Sequence, residues 1–68
     1  MNLTKELEDL IELLTYLKMD VNTILAAWTI LEGKSEETVD LLNYIIQNRP
    51  TESQIVEKLL EIAQSTSK

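Results

Sequence analysis

The chain predicts an all-α fold, a small bundle of three to four helices, on three observations. The helix formers Leu and Glu are the commonest residues, with Ile and Lys also frequent. One Gly and one Pro are the only strong breakers in 68 residues, and Gly33 and Pro50 are each followed by helix-start chemistry. Between these breaks the apolar residues recur at three- and four-residue intervals, the period of one helix face.

The first half carries Leu3, Leu7, Leu10, Leu14, Leu17, Val21, Ile24, Trp28 and Leu31 in a 4-3 spacing without a slip. That heptad permits a single helix of about 30 residues, roughly 45 Å long. Against continuity, Asp20 is a good N-cap, and Met19 and Ile24 stand at the two positions of a hydrophobic staple. Asn22 and Thr23 are mediocre helix formers. The expectation is two helices, about 3–18 and 20–32, with one long helix as the alternative.

A third helix is predicted over about 36–48. Ser35 stands as N-cap before Glu36 and Glu37, which suit the positive end of the helix dipole. The stop falls at Asn48 and Arg49, because the residue before proline avoids the α region. Arg49 is also placed to bond the last carbonyls. A fourth helix, about 52–64, starts with Thr51 and Gln54 in a T-x-x-Q capping box. Residues 65–68 are expected to fray, and residues 1–68 make one domain.

Between Ile24 and Leu31 only Thr29 is polar, which predicts a central helix covered by the other three. Helix 1 offers Leu7, Leu10, Leu14 and Leu17. Helix 3 offers Val39, Leu42 and Ile46, with Leu41 and Ile45 beside them. Helix 4 offers Ile55, Leu59 and Ile62, flanked by Val56 and Leu60. Each stripe is wider than one neighbour requires. A chain this short buries only ~60 % of the surface it exposes when unfolded, and without Cys or His it has neither disulfides nor thiolate or imidazole metal ligands. The surplus apolar surface therefore predicts association, with a homodimer or a hetero-partner docking on Leu7, Leu10, Leu14, Tyr16, Leu17, Val21 and Trp28.

The formal charge is −6, from twelve acidic and six basic residues. Nucleic-acid binding relies on cations that neutralise phosphates, and anionic membrane surfaces call for the same residues. This balance argues against both. The acidic N-terminal stretch does not resemble a signal peptide, no apolar run approaches a membrane span, and the missing cysteines fit a cytoplasmic protein. Nucleophilic catalysis of the Ser-His-Asp or Cys-His type is excluded. The carboxylate pairs Glu8/Glu12 and Glu57/Glu61 lie one turn apart, but they alternate with leucines and lack the histidines of a di-metal bundle, so they read as a solvated face. No Gly-rich phosphate loop or EF-hand loop is present. The sequence predicts no enzyme, no cofactor, no metal and no small-molecule ligand.

One local stretch, GKSEETVDLLNYI, is similar to the turn and second helix of a helix-turn-helix. The spacing of Ser35, Thr38 and Val39 resembles that of response-regulator output domains. The resemblance covers about a dozen residues and implies a regulator of transcription. It departs from the pattern in Glu36, Glu37 and Asp40, which stand where a recognition helix needs donors. A third reading makes the clustered carboxylates a DNA mimic that binds a basic protein. The leading expectation is a small cytoplasmic interaction module that self-associates or docks through an apolar helix face.

Overall fold

The computed structural model describes residues 4–66. These form four helices, α1 (Lys5–Tyr16), α2 (Val21–Leu31), α3 (Ser35–Asn48) and α4 (Glu52–Thr66). Helices α2 and α3 each contact the other three, whereas no Cα of α1 comes within 8 Å of one in α4 among the described residues. The bundle therefore has α1 and α4 on opposite sides of a shared α2–α3 pair. Its Cα radius of gyration is 10.8 Å, against ~10.9 Å for a compact chain of this length.

The first half forms two helices, not one. At the end of α1 the Lys18 amide donates to the Thr15 carbonyl at 3.0 Å, and the Met19 amide reaches back to Leu14 at 3.0 Å. Those two bonds, around a left-handed residue, define a Schellman motif. The left-handed residue is Lys18, with φ 62°, where glycine is the usual occupant. Asp20 then caps α2, its carboxylate accepting from the Asn22 amide at 2.8 Å. The start of α1 is capped by Thr4, whose hydroxyl accepts from the Leu7 amide at 3.1 Å; the sequence reading did not identify that cap.

Helix α2 ends in a type II turn. Glu32 has φ −59° and ψ 124°, Gly33 has φ 80°, and the Lys34 amide donates to the Leu31 carbonyl at 2.9 Å. Open space surrounds the position of a Cβ on Gly33, so glycine is required there by backbone conformation alone. So tight a turn re-enters helix early and corrects the expected cap. Ser35 is the first residue of α3, and the cap position falls on Lys34, which makes no side-chain capping bond. Thr38 turns inward instead, its hydroxyl donating to the Lys34 carbonyl at 2.7 Å.

Helix α3 ends on Arg49, which is left-handed (φ 49°, ψ 55°) rather than extended, with its amide bonded to Ile45. That is the single-bond αL cap. The second bond of a Schellman motif is impossible because Pro50 has no N–H. It is the Arg49 backbone amide that closes α3 on the Ile45 carbonyl. Helix α4 opens with the predicted capping box: the Thr51 amide donates to Gln54 Oε1 at 2.9 Å, and the Gln54 amide to Thr51 Oγ1 at 3.3 Å. No glycine or proline stops α4 before Thr66, so Ser65 and Thr66 are helical rather than frayed. The expected helix start at Leu3 and the last two tail residues lie outside the described residues.

The core consists of Leu7, Leu10, Leu14, Ala27, Leu31, Leu41, Ile45, Ile55 and Leu59. Two expectations about it are corrected. Helix α2 is not enclosed: it turns the small residues Thr23 and Ala27, with Leu31, inward, and leaves Leu25 about half exposed. Small side chains at the centre let three neighbouring helices approach one short helix, which a Trp28-centred stripe would prevent. Helix α3 faces the core with Thr38, Leu41 and Ile45, while Val39 and Ile46 are exposed. Among the described residues no buried side-chain nitrogen or oxygen lacks a hydrogen-bond partner.

Two backbone substitutions test this account. Lys18→Gly relieves a left-handed non-glycine residue and is expected to stabilise the protein by about 0.5–1 kcal/mol. Gly33→Ala imposes that strain and is expected to cost about 1 kcal/mol, a fall in Tm of roughly 4–8 °C for a domain of this size. Urea and thermal unfolding followed by circular dichroism read both. Leu14→Ala is expected to cost about 2–5 kcal/mol, enough to leave much of the population unfolded, and is read by the same melts.

Candidate functional site

The structure separates the seven residues that the sequence grouped as an interface. Leu7, Leu10 and Leu14 are at most 1 % exposed and belong to the chain's own core, so their placement on a docking face is corrected. The physical reason is the break after α1: the chain folds α2 and α3 back onto the very stripe that a long helix would have offered to a partner. Tyr16, Leu17 and Val21 lie on the surface at 81 %, 42 % and 67 % exposure. Trp28 is partly buried against the core. These four are divided between two surfaces.

The first surface is the outer face of α2. At 100° per residue Val21, Leu25 and Trp28 lie on one stripe, opposite the buried Thr23 and Ala27. Leu25, Trp28, Thr29 and Glu32 line a shallow hollow of about 310 Å³ on it. From Val21 to Leu31 this helix has no charged residue, whereas α1, α3 and α4 all carry several carboxylates. Leu25, 52 % exposed, is the central residue of this face, and the sequence reading missed it because it lies off the heptad line. A wheel centred on Thr23 and Ala27 rather than on Ile24 and Trp28 would have found it.

The second surface is a groove of about 580 Å³ where the α1–α2 turn meets the α3–α4 turn. Its apolar lining includes Leu13, Leu17, Met19, Ile45 and Ile46, with Tyr16 at the edge. Lys18 and Arg49 line it as well. They are the two non-glycine residues with positive φ among the described residues, so both left-handed helix caps face one groove.

Glu52 fastens the two turns together. As the first residue of α4 it reaches across to α2, where its Oε2 accepts from the Asp20 amide at 2.9 Å and from the Thr23 hydroxyl at 2.8 Å. A carboxylate so placed meets the positive ends of two helix dipoles. Thr23 is 8 % exposed, so its hydroxyl depends on this partner.

The remaining candidates lie apart. Glu8, Glu12, Glu57 and Glu61 are exposed, and Glu61 sits 3.8 Å from Lys58, whose ammonium stands 5.2 Å from the centre of the Tyr44 ring. No three metal-ligating side chains converge among the described residues. In the stretch similar to a helix-turn-helix, Thr38 is sealed in the core, while Ser35, Glu36, Val39 and Asp40 line an outer hollow of about 300 Å³. No helix among the described residues is long and apolar enough to cross a membrane. Comparison of the chain with protein-family models, with curated proteins and with solved structures gives no match.

Removing the Glu52 carboxylate leaves the Asp20 amide and the Thr23 hydroxyl without their acceptor. Glu52→Ala is expected to cost about 1–3 kcal/mol and to speed amide hydrogen exchange at Asp20. Unchanged exchange at Asp20 would show that the carboxylate does not hold the turn.

Proposed function

We propose that this protein works without catalysis, as a cytoplasmic interaction module that pairs with a second copy of itself through the outer face of α2. The observation that carries the reading is the coincidence of apolar exposure with sparse charge: no charged residue lies between Val21 and Leu31, and Glu32 is the one carboxylate that lines the hollow. Two chains of net charge −6 repel when they meet, and the repulsion is least where each surface contributes the fewest carboxylates. Among the described helices α2 is the one with no charged residue within its span, Glu32 standing just past its end at the rim of the hollow, and it carries Val21 at 67 % and Leu25 at 52 % exposure. In a two-fold dimer the same patch meets itself, so each Leu25 and Trp28 finds apolar side chains opposite. Stable interfaces cover ~800 Å² per partner. The lack of Cys and His supports both the non-catalytic reading and a reducing compartment.

Light scattering during gel filtration tests the proposal. The wild-type mass is expected at twice the 7.8 kDa chain mass, with the dimer favoured as salt screens the mutual repulsion. Leu25→Glu is expected to run at 7.8 kDa with unchanged helicity, because the side chain faces outward. A wild-type protein that stays monomeric at high concentration and high salt would remove the reading.

A further inference from the structure

We infer that the groove between the ends of α1 and α3 is a second docking site, built for an acidic amphipathic segment of another protein. It extends the interaction reading to a different surface and a different occupant. Apolar side chains are expected to bind along Leu17, Met19 and Ile46, with carboxylates set against Lys18 and Arg49.

Charge complementarity selects the occupant. The protein is acidic throughout, with twelve carboxylates to six cations. Among the described residues Lys5 and Lys58 are held in ion pairs within their own helices, to Asp9 and Glu61. Among the described residues Lys34, Lys18 and Arg49 are the cations outside those pairs, and two of the three line this groove. One acidic residue also lines it, Glu52, and its carboxylate is engaged by the Asp20 amide and the Thr23 hydroxyl. With two cations and one carboxylate in its lining, the groove is an apolar concavity of net charge +1 on an anionic molecule.

Backbone conformation adds an independent observation. Lys18 and Arg49 each occupy a left-handed cap position, where glycine or asparagine is the usual residue. Either substitute would close the helix with less strain, yet both positions hold a long cation, and both residues line the same groove. Strain held at two residues that share one concavity is the pattern of a functional surface. A cation near a helix C-terminus also meets the dipole favourably. That benefit does not require the adjoining surface to be apolar, and here Tyr16, Leu17 and Ile46 all remain exposed beside the two charges.

The shape favours a polypeptide over a small ligand. Small-molecule sites bury 70–90 % of their ligand, whereas Tyr16 at the edge is 81 % exposed and the groove is open. A helix of ~12 residues is about 18 Å long, within the 22 Å short axis of the molecule. A second copy fits this groove less well, because a two-fold contact would set Lys18 and Arg49 against their own equivalents.

The test uses the full chain and fluorescence anisotropy. The probe is a fluorescein-labelled amphipathic peptide of about 12 residues, built from leucine, alanine and glutamate, and its control is the twin with lysine for glutamate. The acidic peptide is expected to bind, to weaken as salt rises, and to lose about tenfold or more in affinity to the Lys18→Gln/Arg49→Gln protein. Ile46→Ser, which leaves both cations in place, is expected to weaken the same peptide. Circular dichroism confirms that each variant is folded. Leu25→Glu is expected to bind the peptide as tightly as wild type, which separates this site from the α2 face. No binding of the acidic peptide, equal binding of the lysine twin, or full affinity in the double glutamine variant would overturn the proposal. So would a change in the molar mass of the unlabelled double variant, which would make the occupant a second copy.

Discussion

The fold depends on the chain reversing between Leu17 and Asp20. A continuous helix through the leucine heptad would be roughly 45 Å long, half as long again as the 30 Å molecule. It would leave its whole apolar stripe for a partner to cover. The Schellman closure at Lys18 and the Asp20 cap stop that helix within four residues. Leu7, Leu10 and Leu14 then become the floor on which α2 and α3 pack. Glu52 holds the reversal from α4, through a bond to the Asp20 backbone, although no Cα of α4 lies within 8 Å of one in α1 among the described residues.

Once α2 is folded back, its position among three neighbours determines what it buries. A short helix approached from several sides must present small residues at the closest point. Thr23 and Ala27 provide them, and the Thr23 hydroxyl is satisfied by the Glu52 carboxylate. The larger residues Val21 and Leu25 are left outside as a consequence of that packing, and Trp28 only partly covered. The same reversal leaves Tyr16 and Leu17 beyond the core's edge, next to Ile46 at the end of α3. Both apolar surfaces therefore have one origin. They are what remains when a leucine-rich chain of this size has covered its core.

The two surfaces differ in charge. The α2 face has a single carboxylate, Glu32 past the helix end, and this sparse charge suits a self-complementary contact between like-charged molecules. The groove has Lys18 and Arg49, which suits a contact with something anionic. Screening acts in opposite directions on the two: salt favours the pairing of α2 faces and weakens a contact with the two cations.

The sequence by itself determined the helices and most of their ends. Asp20 as a cap, the Thr51–Gln54 box and the Gly33 turn are local chemistry, made by residues within a few positions of each other, and so were legible without tertiary information. The Schellman closure was not, because its left-handed position is filled by lysine rather than glycine and no residue type announces it. The exposed apolar residues were legible only in part: of the seven candidates Tyr16, Leu17 and Val21 lie on the surface while Leu7, Leu10 and Leu14 are buried, and the exposed Leu25 was not among them. Periodicity states that a helix has an apolar face, whereas which neighbour covers that face depends on rotations set by the turns. Only the tertiary structure decided that two turns distant in sequence meet at Glu52, that Lys18 and Arg49 share a groove, and that α2 faces the core with its smallest side chains. The physical reason is one of range: caps and turns are settled by hydrogen bonds between near neighbours, while burial is settled by competition among all helices for the same limited interior.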